Sequence, residues 1–312
     1  MSGETSAIVG AGAFGRALST VAKAAGREVI LWDRGDFILG DHADASGSKP
    51  TIGEARIVLF AVPAQATREC AERLEKHIES GTPLVACAKG IEAGTGMLQT
   101  DILVEILAGS PVAALSGPGF ADEIAAGKPT AVTIAASDIG LAHTLSHALS
   151  SETFRPYASD DPVGVQLGGA LKNVLAIACG IVVGRKLGES ARAALVARGL
   201  SEMTRFGTAM GARRETSMGL SGLGDLVLTA TSARSRNLSF GVALGEGRSV
   251  ASLEREPLAE GVFTARIAAA LAAEHGIEAP IIAAVAGIID GAVTVDEAID
   301  GLVSRPLKAE NA

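Results

Sequence analysis

The sequence predicts an α/β N-terminal half built on a doubly wound, mostly parallel sheet, followed by an all-α C-terminal half. Two observations carry this reading. Up to about residue 158, short β-like runs alternate with helical patterns; after Asp161-Pro162 the pattern is helical almost to the end. Strands alternating with helices imply right-handed crossovers and a sheet covered on both faces. The length of 312 residues also favours two units, since one hydrophobic core seldom grows so large, and 48% hydrophobic residues can fill both. The boundary falls near residues 156–162, giving units of 1–158 and 159–312.

Residues 7–9, 28–32, 56–62, 84–88, 112–115 and 130–134 read as strands. Between several of them, residues 14–25, 65–80, 97–108 and 141–149 read as helices. Pro162 suits the first turn of a helix, and residues 163–183 are apolar nearly all round, the mark of a helix at the centre of a domain. Gly168-Gly169 would let a neighbouring backbone approach that helix closely. The longest nearly uninterrupted apolar run, 174–184, has 11 residues and is too short to span a bilayer, so no membrane insertion is expected. The N-terminus has neither the basic start nor the cleavage site of a signal peptide. Cys70, Cys87 and Cys179 lie far apart in apolar surroundings, as expected of buried thiols in a reducing cytoplasm.

Charge narrows the function classes. With 27 basic against 35 acidic side chains the net charge is −8, which argues against binding nucleic acid or anionic lipid. Aromatic residues make up only 3%, so stacking platforms for bases are scarce. An anionic substrate would have to be caught by local cations.

The first strand runs into Gly10-Ala-Gly-Ala-Phe-Gly15, and a helix opens at once. Gly10 permits the tight turn, Gly12 lets a pyrophosphate approach the backbone, and Gly15 lets helix and strand pack closely. A second strand ends at Asp33, at the spacing of a ribose-binding carboxylate. This is the context of a Rossmann-type dinucleotide site. Asp33 favours NAD and Arg34 could neutralise the 2′-phosphate of NADP, so both cofactors stay open.

Dehydrogenation of an alcohol needs a proton acceptor. None of the five histidines sits in a glycine-rich or mixed polar motif. His143 and His147 have i,i+4 spacing but no Asp, Glu or Cys ligand beside them, and His275 resembles a charge at a helix C-terminus, so no metal is expected. Lysine is the remaining option. Lys172-Asn173 lies inside the apolar central helix, where burial would lower an ammonium pKa toward the range useful for proton transfer. Asp225, Thr229 and Ser235-Arg236-Asn237 follow at glycine-rich breaks, and Lys89-Gly90 ends a strand on the edge where open α/β sheets bind ligands.

These segments together resemble bacterial NAD(P)-dependent glycerol-3-phosphate dehydrogenase. Besides the glycine loop, the likeness rests on Ala61-Val-Pro-Ala64, Lys89-Gly-Ile-Glu92, Ser116-Gly-Pro-Gly-Phe-Ala121 and Pro129-Thr-Ala-Val132. It continues through residues 166–178, 197–205 and 219–229, Ser235-Arg-Asn237 and Ala259-Glu-Gly261. The resemblance implies that Lys172 exchanges the proton with the substrate oxygen, with Asp225 and Thr229 holding the lysine network. It implies substrate contacts from Lys89, Gly117, Gly119, Asn173, Ser235, Arg236 and Asn237. Cofactor contacts are implied for Gly10, Gly12, Ala13, Phe14, Gly15, Asp33, Arg34, Lys89, Ala121, Arg236, Leu258 and Glu260.

The implied reaction is reversible hydride transfer between NAD(P)H and dihydroxyacetone phosphate, giving sn-glycerol 3-phosphate for phospholipid synthesis. Three departures stand out: Ala13 where the family commonly has Ser, Gly119 where it has Ser or Thr, and a short Gly/Ser-rich stretch over residues 33–52. A hydroxy-acid dehydrogenase of the same architecture is opposed by the Ser235-Arg-Asn237 block. A noncatalytic nucleotide sensor is opposed by retention of the polar residues on the substrate side. Apolar faces at residues 267–273 and 281–289 suggest a homodimer.

Overall fold

The computed structural model describes residues 4–33, 36–38, 51–253 and 259–307. Its described strands are β1 (Thr5–Val9), β2 (Glu28–Asp33), β3 (Asp36–Ile38), β4 (Ile57–Phe60), β5 (Leu84–Ala86), β6 (Val112–Ser116), β7 (Thr130–Ala135) and β8 (Phe154–Ser159). They form one sheet in the order β3-β2-β1-β4-β5-β6-β7-β8. Pairing is parallel from β2 through β6 and between β7 and β8, and antiparallel at β2–β3 and β6–β7. From β1 the chain runs outward through β2 to β3 and then crosses back to place β4 on the other side of β1, so β1 and β4 flank the switch point where such sheets bind ligands.

Helices α1 (Ala13–Ala24), α2 (Thr67–Leu74), α3 (Gln99–Ile106), α4 (Ala121–Ala125) and α5 (Ile139–Leu149) accompany the strands. One face of the sheet packs Ile8, Leu31, Leu59, Val85 and Leu115 against Leu18 and Leu145; the other packs Val9, Ile30, Phe60 and Leu84 against Leu74 and Leu103. All but two of these strands are read from the sequence. The missed ones have local reasons. β3 has three residues, and β8 carries Pro156, which counts against a strand but is tolerated at the sheet edge where β8 lies. Phe154 and Pro156 point inward and Arg155 and Tyr157 outward, so β8 alternates as a half-buried strand should. The expected 65–80 helix is shorter: a single 3₁₀ turn precedes α2 and another follows it.

Beyond β8 come α6 (Pro162–Gly184), α7 (Glu189–Ala209), α8 (Asp225–Thr231), α9 (Arg236–Gly245), α10 (Val250–Leu253), α11 (Glu260–Glu274), α12 (Pro280–Ile289) and α13 (Val295–Val303). Asp161 caps α6 by accepting from the Gly164 amide at 2.8 Å, and Pro162 stands in the first turn. The other Asp161 oxygen accepts from the Arg213 amide at 2.9 Å and the Thr216 hydroxyl at 2.6 Å, which ties the start of α6 to the segment after α7. Glu202 of α7, fully buried, accepts from the Ile281 and Ile282 amides at 2.6 and 3.1 Å and so caps α12 from a distance.

With its 23 residues, α6 is longer than the 11-residue apolar run inside it, and by length and composition alone it could cross a membrane. It is instead the axis of the helical half: residues 164–182 are all buried among its neighbours. Val165 packs on Ala114 and Ala135, joining the helix to β6 and β7. The faces at 267–273 and 281–289 that suggested a dimer are mostly turned into this same core, through Ala268, Ala272, Ile281, Ile282, Val285, Ala286, Ile288 and Ile289.

The tightest seam runs between α6 and α9. A Cβ on Gly180 would lie 2.1 Å from the Leu238 carbonyl oxygen, and one on Gly241 would lie 2.0 Å from the Ile177 oxygen. Gly184 and Gly245 repeat the contact one turn on, at 2.3 Å from the Val242 oxygen and 2.6 Å from the Ile181 oxygen. Backbone meets backbone without side chains between them, so any substituent must part the helices. Gly241→Ala is therefore expected to destabilise the protein by about 1–3 kcal/mol, read by chemical denaturation, where an exposed glycine-to-alanine change in a helix would be stabilising.

Candidate active site

Three titratable groups meet where the sheet edge faces the helical half. Lys89 follows β5 and reaches across to Asp225, the first residue of α8, at 2.7 Å. Lys172, halfway along α6, lies 3.0 Å from the other oxygen of the same carboxylate. Asp225 is 1% exposed, so one buried anion is shared by two ammonium groups. Thr229, one turn along α8, accepts from Lys172 at 2.8 Å and donates to Asp225 at 3.3 Å. Lys89 also donates to the Gly117 carbonyl at 2.8 Å.

Local backbone geometry makes this meeting possible. Gly219 to Gly224 wind through one wide π-type turn into α8, where a Cβ on Gly222 would strike the Ser217 oxygen at 2.1 Å. Gly168 brings α6 against this turn, 2.7 Å from the Ser221 oxygen by the same measure. Gly117 has φ +153° and no room for a side chain beside Val132.

Electrostatics follow from burial. Burial pushes the Lys172 ammonium down to about 8, against the upward pull of Asp225, and the Lys89 charge adds to the fall. Burial alone would raise Asp225, but Lys172 and Lys89 hold its carboxyl below the usual carboxylate range. Glu260, at the start of α11, is raised by burial and opposed by Arg236, Lys172 and Lys89, which makes it the second anion facing the cluster.

A hydrogen-bonded relay leads outward from the lysines. Asn173 donates to the Lys89 carbonyl at 3.3 Å, Asn237 donates to the Asn173 side-chain oxygen at 2.8 Å, and Asn237 accepts from the Gly261 amide at 3.0 Å. Ser235 caps α9 by accepting from Leu238 at 3.2 Å. Arg236 is exposed at the mouth of this arrangement. Thus Lys89, Gly117, Lys172, Asn173, Asp225, Thr229, Asn237 and Glu260 come together as the sequence suggests, with Ser235 and Arg236 at the rim.

The glycine loop lies at the C-terminal end of β1. Gly10 has φ +107°, donates to the Trp32 carbonyl at 2.8 Å, and would carry a Cβ only 2.7 Å from the Ala61 oxygen. On Gly15 a Cβ would lie 1.8 Å from the Gly10 oxygen, whereas on Gly12 it would meet open space. Gly12 and Ala13 are exposed at the start of α1, and Phe14 is half-buried against the sheet core. Asp33 closes β2. The 61–64 segment links this loop to the lysine cluster, since Ala61 lies against Gly10 and the Ala64 amide faces Glu260. Ala121 begins α4; Arg34 and Leu258 lie outside the described residues. On Gly119 a Cβ would point at Ile124 and Thr130, 2.9 and 3.3 Å away.

Two polar residues at this site are given no role by the sequence reading, which quotes Ser116 only as part of a motif and does not mention Arg234. The Ser116 hydroxyl is buried without a hydrogen-bond partner beside Gly169. Arg234, in the loop before α9, bonds Asp122 and Glu123 at the start of α4. Only the place of Ser116 inside one quoted motif, and of Arg234 directly before another, could have flagged them.

A family model described as NAD-dependent glycerol-3-phosphate dehydrogenase C-terminus matches residues 161–300, and one described as the N-terminus matches residues 42–142. The chain belongs to this family. A glycerol-3-phosphate dehydrogenase, NAD(P)+, of Parvibaculum lavamentivorans is 50% identical, with 97% of each chain covered. One from Rhizobium etli is also 50% identical, covering 98% of this chain and 99% of the relative. In three dimensions, glycerol-3-phosphate dehydrogenase from Coxiella burnetii superposes with a TM-score of 0.86 at 35% identity, covering 97% of this chain and 99% of that one. These family members lend the lysine-centred geometry its chemical context.

The shared carboxylate also sets a stability test. Asp225→Asn leaves two ammonium groups without their anion and should destabilise the protein by about 3–5 kcal/mol near neutral pH. The folded Lys172 pKa lies below that of an unfolded lysine, so raising the pH through about 8 favours the folded state. In the variant the upward pull of Asp225 is gone, so its Lys172 sheds the proton at lower pH than the wild type does. The deficit should shrink as pH rises to and beyond about 8, as thermal unfolding at neutral and alkaline pH would reveal.

Proposed function

We propose that the protein catalyses reversible hydride transfer between NAD(P)H and dihydroxyacetone phosphate, forming sn-glycerol 3-phosphate for phospholipid synthesis. The observation that carries this reading is the Lys172 ammonium, buried and held between Asp225 and Thr229 with its pKa lowered to about 8. The family and the names of its close members support the substrate pair.

The residues fit a dinucleotide. Gly10 and Gly15 are closed to any side chain, while Gly12 opens onto free space at the start of α1, where backbone N–H groups favour a pyrophosphate. Gly10, Gly12, Ala13, Phe14 and Gly15 would hold it, with Asp33, Lys89, Ala121, Arg236 and Glu260 around the remainder; the family resemblance adds Arg34 and Leu258, which lie outside the described residues. When bound, the nicotinamide supplies or accepts the hydride.

Lys172 then handles the proton. In the reducing direction its ammonium donates to the oxygen that gains negative charge at the substrate carbonyl; in the oxidising direction its neutral amine accepts from the hydroxyl. Asp225 keeps the ammonium in reach and Thr229 fixes its direction. Lys89, Gly117, Gly119, Asn173 and Ser235 orient the substrate, and Arg236 and Asn237 grip its phosphate, supplying the local cations that the net charge of −8 withholds.

The proposed units are residues 1–158 for the cofactor and 159–312 for the substrate, a division supported by the end of β8 at Ser159 and the start of α6 at Pro162. A cytoplasmic setting is supported by three buried free cysteines. Burial of α6 supports function without membrane insertion. A homodimer remains part of the proposal, but the faces that suggested it serve the protein's own core, so sedimentation is its test.

Two measurements decide the reading. Oxidation of NADH and of NADPH with dihydroxyacetone phosphate, run side by side, should show turnover and reveal the preferred cofactor. Lys172→Ala should lower kcat by about 10²–10⁴-fold while NADH binding, followed by fluorescence, persists. Unchanged turnover would overturn the role of Lys172. In the wild type, carbonyl reduction should decline as pH rises through about 8, because the donor loses its proton, and alcohol oxidation should rise over the same range.

A further inference from the structure

Arg234 belongs to the helical half, between α8 and α9, yet its contacts lie on the sheet-bearing half. Its guanidinium bonds Asp122, donates to the Glu123 carboxylate at 2.8 Å, and stacks over the Phe120 ring at 4.4 Å from the centroid. Lys128 bonds the same Glu123 carboxylate at 3.2 Å and helps hold it ionised; the hydrogen bonds from Lys128 and Arg234 keep it below the usual carboxylate range. Isolated exposed ion pairs contribute little, but a planar cation engaged by two carboxylates and an aromatic face has its geometry fixed on three sides.

The position of this clasp gives it a consequence. On one side it grips the segment that begins at Gly117, whose carbonyl accepts from Lys89. Gly119 leaves this segment with added backbone freedom, and Phe120, Asp122 and Glu123 follow immediately. On the other side Arg234 is joined in sequence to Ser235, Arg236 and Asn237, the cap of α9 and the residues proposed to grip the substrate phosphate. One guanidinium therefore joins the start of α4 to the start of α9.

We propose that Arg234 is a positioning residue: by clasping Phe120, Asp122 and Glu123 it holds the phosphate-gripping start of α9 against the 117–120 loop before substrate arrives. It touches neither the proton-transfer group nor Asp225, so its effect falls on substrate binding. Without it, substrate must order both loops itself, and the entropy of that ordering appears in KM. The inference rests on the proposed reaction for its kinetic side only.

Arg234→Ala should raise KM for dihydroxyacetone phosphate on the order of threefold to tenfold, with kcat changed by less than about twofold. Arg266→Ala, which removes an exposed arginine paired with Asp290, serves as the control and should leave KM unchanged. Adding Asp122→Asn and Glu123→Gln to Arg234→Ala should produce little further change, because all three act through one clasp. Amide hydrogen exchange without substrate provides a readout independent of turnover: residues 117–125 and 232–238 should exchange faster in Arg234→Ala, with global unfolding unaltered. Faster exchange in an enzyme inactive toward dihydroxyacetone phosphate would uphold the clasp and overturn the reaction. Unchanged exchange in both segments, or a fall in kcat at constant KM, would overturn the clasp.

Discussion

One carboxylate organises the molecule. Asp225 sits out of water between Lys89 from the sheet and Lys172 from the central helix, and its negative charge offsets the repulsion between the two ammonium groups that share it. The ion triplet is thus a structural joint between the two halves as well as the source of a lysine tuned for proton transfer. Burial lowers the Lys172 pKa and the carboxylate opposes that fall, so the balance depends on how tightly α6 and α8 enclose the cluster. The glycines of the 219–224 turn and Gly168 allow that enclosure, since side chains there would separate the two elements.

The same economy of side chains governs α9. Its first turn presents Arg236 and Asn237, and its body lies against α6 through paired glycines spaced four residues apart on each helix. Asn237 is further referenced to Lys89 through Asn173, so the rim of the site is positioned from the same helix that carries the proton-transfer group. Precision at the rim is therefore inherited from backbone contact rather than built up by many side chains.

Much of this was legible in the sequence because the informative residues are of types with narrow physical uses. Gly10 and Gly15 advertise a turn and a packing contact, and the structure leaves no room for a side chain at either, whereas Gly12 faces open space. Lys172 inside an apolar helix signalled a partner, although only the fold could show that Asp225 serves Lys89 as well. Other features depended on context that the sequence hides. β8 is tolerated with Pro156 because it lies at an edge, and the apolar faces of α11 and α12 could have met another subunit but meet α6 and each other. Ser116 and Arg234 were given no role because a serine at a strand end and an arginine at a surface are chemically commonplace.

Gly119 carries a consequence for what the loop can accept. Beside it there is no vacancy, for Ile124 and Thr130 occupy the direction in which a Cβ would project. Introducing a hydroxyl-bearing residue would first require the Ile124 side chain to rotate aside within the sheet core. A side chain at position 119 is therefore coupled to the packing of α4: its admission turns on the rotamer of one isoleucine, so the loop's chemistry and the sheet core's packing cannot be altered independently there.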